Sequence, residues 1–438
     1  MTIDAAEAVA ADTSAHPAAV VPVMEGTPAT RWIQLGAGVI CMAMIANLQY
    51  GWTLFVDPIS KTNHWARGDV QWAFTIFVLT ETWLLPVKAW FTDRYGPRPT
   101  VTVGGVLIAA AWVVNSYAAS LPILYLGAVL GGLGAAAIYG TCVGNALKWF
   151  PDKRGLAAGA TAAGFGAGAA LTVIPIGTMI ATSGYKHAFF VFGIGQGIVC
   201  MIVALILRAP KVLHPPIPKR LSIPQAKRSI KWTKTVRQPV FWVLYVTFVL
   251  VAAGGLMTAA QLAPIANDYG IAKSPVALFG GGAALTLALF LDRILDGFGR
   301  PMFGLLSDRI GRENTMGIAF TTAAIMLLLL GLYGRDPLVF VLASAFYFLV
   351  FGEIYSLFPA TCGDTFGSRY ATTNAGILYT AKGCGALLVP IASWVASMHG
   401  WSTVFMITVG LNAAAALIAL FVLKPVRKKY IADSFIMR

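Results

Sequence analysis

Residues 304–312 read Gly-Leu-Leu-Ser-Asp-Arg-Ile-Gly-Arg, and 215 positions earlier residues 89–97 read Ala-Trp-Phe-Thr-Asp-Arg-Tyr-Gly-Pro. Each copy follows a long apolar segment. A second pair keeps the same offset: Asp152-Lys153-Arg154-Gly155 and Ser368-Arg369-Tyr370 occupy corresponding loops, with Arg154 and Arg369 also 215 apart. One matching pair can arise by chance. Two at one offset imply that a unit was duplicated. Outward from these loops the chain resolves into six apolar spans on either side of one long connection, 209–239. Spans 1–6 lie near 33–55, 70–91, 100–119, 121–147, 156–183 and 188–208. Spans 7–12 lie near 240–266, 277–305, 314–333, 337–361, 372–397 and 402–423. A helix needs about 20 residues to cross roughly 30 Å of hydrocarbon. The chain is therefore predicted to be an all-α membrane protein, with twelve transmembrane helices in two six-helix bundles (31–208 and 240–424) related by pseudo-twofold symmetry. Paired halves of this kind place a substrate at their interface near mid-membrane and work by rocking.

Composition agrees. Apolar residues make up 58% of the 438 positions and charged residues only 11%, where a soluble chain is about half apolar and about a quarter charged. The mean hydropathy is +0.73. The cysteines (Cys41, Cys142, Cys200, Cys362, Cys384) all fall in apolar segments and none is close to another in sequence, so neither a disulfide framework nor a metal site is expected. The histidines sit in tails, loops and helix ends. No stretch has a phosphate-cradling pattern, and no cofactor is implied. Residues 1–30, rich in Ala, Pro and Thr and without an apolar core, read as a disordered cytoplasmic tail and not as a secretory signal. Residues 425–438 read as a second cytoplasmic tail.

The formal charge of +14 is placed by topology. Of 32 Lys and Arg, 23 fall in the tails, in the loops after even-numbered spans and at Arg208. Only Lys61, Arg67, Lys186, Lys273 and Arg335 fall in the opposite loops, and four lie inside spans. This bias puts both termini in the cytoplasm of a cell inner membrane. It also removes the reason to expect a nucleic-acid partner. At the duplicated loops, Asp93, Arg94, Asp308 and Arg309 are candidates for a gating latch that breaks and reforms between states. Capping of the helix end is the alternative.

Eight ionisable residues fall inside spans: Glu81, Lys88, Asp292, Arg293, Asp296, Arg300, Glu353 and Lys382. A charge in hydrocarbon costs about 2.5–3.5 kcal/mol on insertion scales, so these side chains must face a cavity or one another. On span 8, at about 100° per residue, Arg293 and Arg300 are about 20° apart and Asp296 is within about 60° of both, giving one polar stripe. Asp296 and Arg300 are spaced for pairing. Arg300 is about 12 Å from the Asp308 end, and Lys382 is about 20 Å past Arg369. The two cations are expected to converge near mid-membrane on either side of a small anion. A guanidinium matches a carboxylate as a fork and an ammonium acts as a point charge. Lys382 has no acid within a turn of its own helix, which leaves it partly unneutralised. Glu81 and Asp296, again 215 apart, and Glu353 are candidates to carry protons; neutralising a nearby cation is the alternative. Lys88 is five residues from Asp93 and is expected to snorkel. Gln49, Tyr50, Tyr139, Asn145, Phe351, Tyr355 and Tyr379 complete a candidate lining. Gly127, Gly131, Gly164, Gly168 and Gly177 are expected to let helices approach closely.

With Gly304, Asp308, Arg309, Gly311 and Arg312, the second loop resembles the major facilitator superfamily; the first copy has Ala89 at the leading glycine and Pro97 interrupting. Within that superfamily, Leu48-Gln49-Tyr50-Gly51-Trp52-Thr53-Leu54, Lys148 through Leu156, and Gln238-Pro239-Val240-Phe241-Trp242-Val243-Leu244 resemble the oxalate:formate antiporter family. Arg300-Pro301 and Ala381-Lys382 match the positions of that family's substrate-binding arginine and lysine. The chain departs from the family's pattern at Phe351 and Tyr379, where the family has tryptophan, and at Glu81, Asp296 and Glu353, where it has neutral residues. Asp296-Xaa3-Arg300-Pro301 is similar to the neighbouring proton-linked monocarboxylate transporters, in which Asp and Arg serve proton and carboxylate together.

These resemblances imply a secondary transporter of small organic anions that acts as a monomer in the lipid bilayer. Its expected activity is oxalate/formate-type exchange; the alternative is proton–monocarboxylate symport, which makes protons a candidate partner. A membrane sensor or enzyme would need a soluble signalling domain or a nucleophile–base set, and neither is visible.

Overall fold

Each apolar run becomes a helix because nothing in hydrocarbon replaces an internal backbone hydrogen bond. The structure, a computed structural model, describes residues 28–84, 95–150, 154–210, 229–367 and 371–436. Span 1 is Pro28–Tyr50 continued by Thr53–Asn63, and spans 2–6 are Arg67–Trp83, Pro97–Ser116, Leu121–Trp149, Arg154–Ser183 and Tyr185–Ala204. A short helix Trp232–Thr235 precedes span 7, Pro239–Asp268, which is followed by a two-residue hairpin pairing Pro275–Val276 with Gly282–Ala283. Spans 8 and 9 are Ala284–Ile310 and Arg312–Tyr333. Span 10 is Pro337–Phe351 with Ile354–Phe366, and span 11 is Ala371–Ala386 with Leu388–His399. Span 12 is Trp401–Leu417, continued through a π-helical turn into Lys424–Ile436. Residues 425–436 of the segment read as a second tail thus extend this last helix.

Ten of these helices are long and apolar enough to cross a membrane. Spans 2 and 8 fall short of that description for local reasons. Span 2 has seventeen described residues, and span 8 carries Asp292, Arg293, Asp296 and Arg300.

The duplication is visible in the packing. Span 1 packs on 5, 2 on 4, 3 on 4 and 3 on 6; in the second half 7 packs on 11, 8 on 10, 9 on 10 and 9 on 12. Between halves, span 5 packs on 8 and span 11 on 2. This is the arrangement a pseudo-twofold axis requires. Spans 3, 6, 9 and 12 turn Val103, Val106, Ile198, Ile202, Ile318, Leu332, Ile407 and Phe421 outward, as a lipid-facing surface demands. Spans 1, 2, 4, 5, 7, 8, 10 and 11 enclose the middle.

Short backbones make the tight contacts possible. A Cβ on Gly168 would sit 2.3 Å from Ala43 Cα, and one on Gly164 would sit 2.7 Å from the Val39 carbonyl, so spans 1 and 5 touch along backbone. Overpacking of this kind costs about 1–3 kcal/mol. Gly168→Ala is therefore expected to lower the thermal midpoint of the detergent-solubilised protein by several degrees; an unchanged midpoint would show that span 1 can retreat freely. At the corner between spans 8 and 9 a single residue, Gly311, reverses the chain at φ 93°, a conformation that disfavours any side chain.

Three spans are interrupted where polar side chains gather: span 1 at Gly51-Trp52, span 10 at Gly352-Glu353 and span 11 at Leu387. Irregular backbone at membrane depth is tolerated where protein or a cavity covers it. Three of the five free cysteines meet inside the first half, with Cys41 in hydrogen-bond reach of Cys142 and Cys200. Their separation in sequence concealed that contact.

Candidate functional site

Span 8 places Asp296 and Arg300 on one face, and their side chains meet: Arg300 Nη2 donates to Asp296 Oδ2 at 2.8 Å. The break in span 1 brings Tyr50 against them. Its hydroxyl donates to Asp296 Oδ2 at 3.0 Å and accepts from Arg300 Nη2 at 3.2 Å. Arg300 Nη1 reaches the Ala162 carbonyl of span 5, also at 3.2 Å. Arg300 is thus held between the halves.

Lys382 of span 11 lies across the same interface. Its Nζ donates to Glu81 Oε2 of span 2 at 2.8 Å and to Gln49 Oε1 of span 1 at 2.9 Å. Sequence spacing left Lys382 without an acid, and the structure corrects this. The partner comes from the other half, 301 positions away, where spacing on one helix gives no signal. Arg300, likewise, is neutralised by its own helix neighbour. Glu81 and Asp296 each neutralise a cation, the alternative that the sequence left open.

The two cations approach a common ring. Tyr355 of span 10 presents its ring to both, with Arg300 Cζ 4.5 Å and Lys382 Nζ 5.6 Å from its centroid. Tyr379 packs its ring 5.4 Å from Lys382 Nζ and stacks on Tyr139 across the interface, centroids 6.3 Å apart. Gln49, Tyr50, Tyr139, Tyr355 and Tyr379 therefore share one cluster with Arg300 and Lys382. Phe351 stands behind it. It meets Tyr355 edge-on and packs against Gly255 of span 7. Asn145 is six residues, or about 9 Å, further along span 4 than Tyr139.

Several polar atoms in this buried cluster have no hydrogen-bond partner among the described residues: Arg300 Nε, Asp296 Oδ1 and the Tyr379 hydroxyl. Buried polar atoms are normally satisfied. Two of these atoms, Arg300 Nε and the Tyr379 hydroxyl, are donors, and Asp296 Oδ1 is an acceptor. Glu353 is a different case. It is fully buried at the break in span 10, and neither carboxyl oxygen has a partner among the described residues.

Two further polar networks lie away from this cluster, of which one joins the halves and one lies within the second half. In the first, Arg67 binds Asp57 of its own half through Nε at 2.9 Å and, through Nη1 and Nη2, Asp268 of the other half. Asn267 and Trp401 join them through Asp57 and Asp268. Deeper, Gln71 donates to Gln261 and to the Ala260 carbonyl, and Thr75 donates to the Ala386 carbonyl. Within the second half, at the Asp308 end of span 8, Asp308 pairs with Arg312 at 2.8 Å, and Arg312 also binds Asp364 at 3.1 Å. Arg427 binds Glu313 at 2.6 Å. Arg309 is exposed, while Asp93, Arg94 and Lys88 lie outside the described residues. Sequence reasoning missed Asp57, Arg67, Asp268, Asp364 and Arg427, because each sits near a span end where a charge looks solvated.

This architecture defines a polytopic membrane protein of two homologous six-helix halves with a charged site between them. The chain belongs to the Major Facilitator Superfamily, whose family model matches residues 36–300 and 284–434. It is a transport protein and not an enzyme. It is 32% identical to an oxalate:formate antiporter of Oxalobacter formigenes, over 92% of this chain and 95% of that one. It is 25% identical to monocarboxylate transporter 2 of Homo sapiens, over 84% of this chain and 80% of the relative. Among solved structures, a bacterial homologue of the human lysosomal transporter Spinster, inward-facing and unoccupied, superposes with a TM-score of 0.63 at 15% identity, over 94% of this chain and 98% of that one. That likeness speaks for the fold.

Proposed function

We propose that this protein is a secondary transporter of small carboxylates that works by alternating access, exchanging anions of the oxalate and formate kind, with both termini in the cytoplasm of the inner membrane. The observation that supports this most is the pair Arg300 and Lys382, one from each of two spans, facing one tyrosine ring with unsatisfied donors beside them. A carboxylate arriving there meets a fork, a point charge and a free hydroxyl in a site from which water is largely excluded, where such contacts are strong. Asp296 and Glu81 occupy those cations in their present pairing, so substrate competes with the two acids. The Arg67–Asp268 network closes one end of the interface and serves as one gate. Asp308, Arg312 and Asp364, paired within the second half at the cytoplasmic end of span 8, are the candidates for the other. Counterflow in reconstituted vesicles tests the exchange, with oxalate, formate, lactate, pyruvate and succinate as the panel. Uptake driven by internal counter-substrate without a pH gradient is the expected result. No counterflow with any of the five would sink the carboxylate reading.

A second reading, proton–monocarboxylate symport, is favoured by one residue. An ionised carboxylate in such a place is costly without a partner, and for Glu353 a proton is the available one. If symport operates, uptake needs an inward proton gradient and fails in Asp296→Asn. Glu353→Gln, which keeps the shape and cannot release a proton, separates the two modes. Exchange is expected to survive it at near wild-type rates, while gradient-driven uptake would be lost.

A further inference from the structure

Arg293 is a buried cation that the proposed substrate site does not use. Only 2% of it is exposed. Its guanidinium is sandwiched between the rings of Tyr50 and Phe348, 3.9 and 4.1 Å from their centroids. Nε and Nη1 have no hydrogen-bond partner among the described residues. Asp292 Oδ2 stands 4.0 Å from Nη2, beyond hydrogen-bond reach, and the other Asp292 oxygen accepts from Ser344 at 3.0 Å. Arg293 therefore has donors to spare.

Asp296 lies on the same stripe of span 8, three residues after Arg293 and four before Arg300, the two spacings at which helical side chains meet. Its Oδ2 is engaged by Arg300 and Tyr50, and its Oδ1 is free. Tyr50 links the two arginines: its ring lies on Arg293 and its hydroxyl reaches Arg300.

We propose that Asp296 exchanges arginines during the transport cycle, pairing with Arg300 when the site is empty and with Arg293 when a substrate carboxylate has taken Arg300. This rests on Arg300 being the carboxylate ligand. Without such a swap, an arriving anion would place two carboxylates on one buried guanidinium, which like charge disfavours. A proton on Asp296 would solve the same problem. The swap solves it with no proton, and so lets the substrate enter as a bare anion, as exchange requires. Arg293 is then a positioning residue, acting on substrate through Asp296.

The groups facing Asp296 are few. Its own span supplies Asp292, Arg293 and Arg300, and span 1 supplies Tyr50. Span 10 supplies Tyr355, with the Gly352 backbone packed against Asp296. Tyr139 of span 4, and Tyr379 and Lys382 of span 11 with Glu81 of span 2, lie beyond Arg300. Span 5 brings Ala162, Ala163 and Gly166, none of which titrates.

The test is the pH profile of formate and oxalate counterflow in vesicles with equal pH on both sides. Wild type is expected to be flat from mildly acidic to mildly alkaline buffer. In Arg293→Gln a loaded site strands Asp296, which then needs a proton. Uptake should fall about tenfold at the alkaline end and recover on acidification, since one pH unit changes the protonated fraction about tenfold. Arg293→Lys keeps the charge and should keep the flat profile, and Arg293→Gln with Asp296→Asn should regain flatness. If Arg293→Gln does not fold, Asp292→Asn with Arg293→Gln, which removes both adjacent charges, is read in its place with the same expectation. Wild-type counterflow accompanied by a flat profile in the arginine-less variant, or by loss at every pH that acid does not relieve, would overturn the swap alone. Wild type inactive toward both anions would instead overturn the carboxylate reading beneath it.

Discussion

Arg300→Ala and Lys382→Ala will each abolish carboxylate uptake while leaving the protein in the membrane. Both side chains are almost wholly buried at the interface between halves, 3% and 1% exposed, and each already holds an acid there. Truncating one partner of a buried, hydrogen-bonded charge pair costs about 2–5 kcal/mol of binding, or roughly thirtyfold to several thousandfold. The measurement is initial counterflow rate per inserted molecule, with insertion followed by surface labelling and monodispersity in detergent. Arg300→Lys should rescue little. An ammonium cannot donate at once to a carboxylate, to the Tyr50 hydroxyl and to the Ala162 carbonyl in the geometry the guanidinium satisfies. Wild-type rates in either alanine variant would remove the site from the transport path.

The twelve spans were legible because hydrocarbon thickness sets a run length that composition either meets or fails. Span 8 shows where composition alone stops: its four charges disguise a membrane helix, and only the duplicated loop after it, Asp308-Arg309-Ile310-Gly311, marks it as one. Within the site, Asp296 with Arg300 was legible because both sit on one helix at a spacing that brings side chains together. Lys382 with Glu81 was not. That pair depends on which faces the two halves turn to each other, a property of the assembled bundle that no local period encodes. The same holds for Arg293, whose place on the polar stripe was readable but whose seat between Tyr50 and Phe348 was not. Tyr50 reaches it only because span 1 breaks at Gly51. The Arg67 network stayed hidden for a different reason: Asp57, Arg67 and Asp268 lie at span ends, where the sequence cannot distinguish a solvated charge from one paired across the halves.

The Lys382–Glu81 pair invites a prediction in which stability and transport come apart. Glu81→Met leaves a buried ammonium with the Gln49 side-chain oxygen and the rings of Tyr355 and Tyr379 but no counter-charge among the contacts described. Breaking a buried ion pair on one side costs about 3–5 kcal/mol, so this variant should be poorly stable and should lose its thermal transition at far lower temperature. Glu81→Met combined with Lys382→Met removes both charges and refills the space with unbranched apolar side chains. Replacing both members of such a pair is about neutral in many proteins, so the double variant should recover most of the lost stability. Its transport should not return, because the point charge proposed to meet the substrate is gone. Thermal unfolding in detergent and counterflow in vesicles read the two outcomes separately. A double variant as unstable as the single one would mean that the destabilisation comes from lost packing and not from a stranded charge. A double variant that transports would mean that Lys382 is structural, and would leave Arg300 as the only cation in contact with the anion. The pair crosses from one half to the other, so it holds the two bundles together at the depth where substrate must pass between them. On the proposed function, a carboxylate that took Lys382 from Glu81 would loosen that junction, a direct mechanical route from anion binding to a rocking motion.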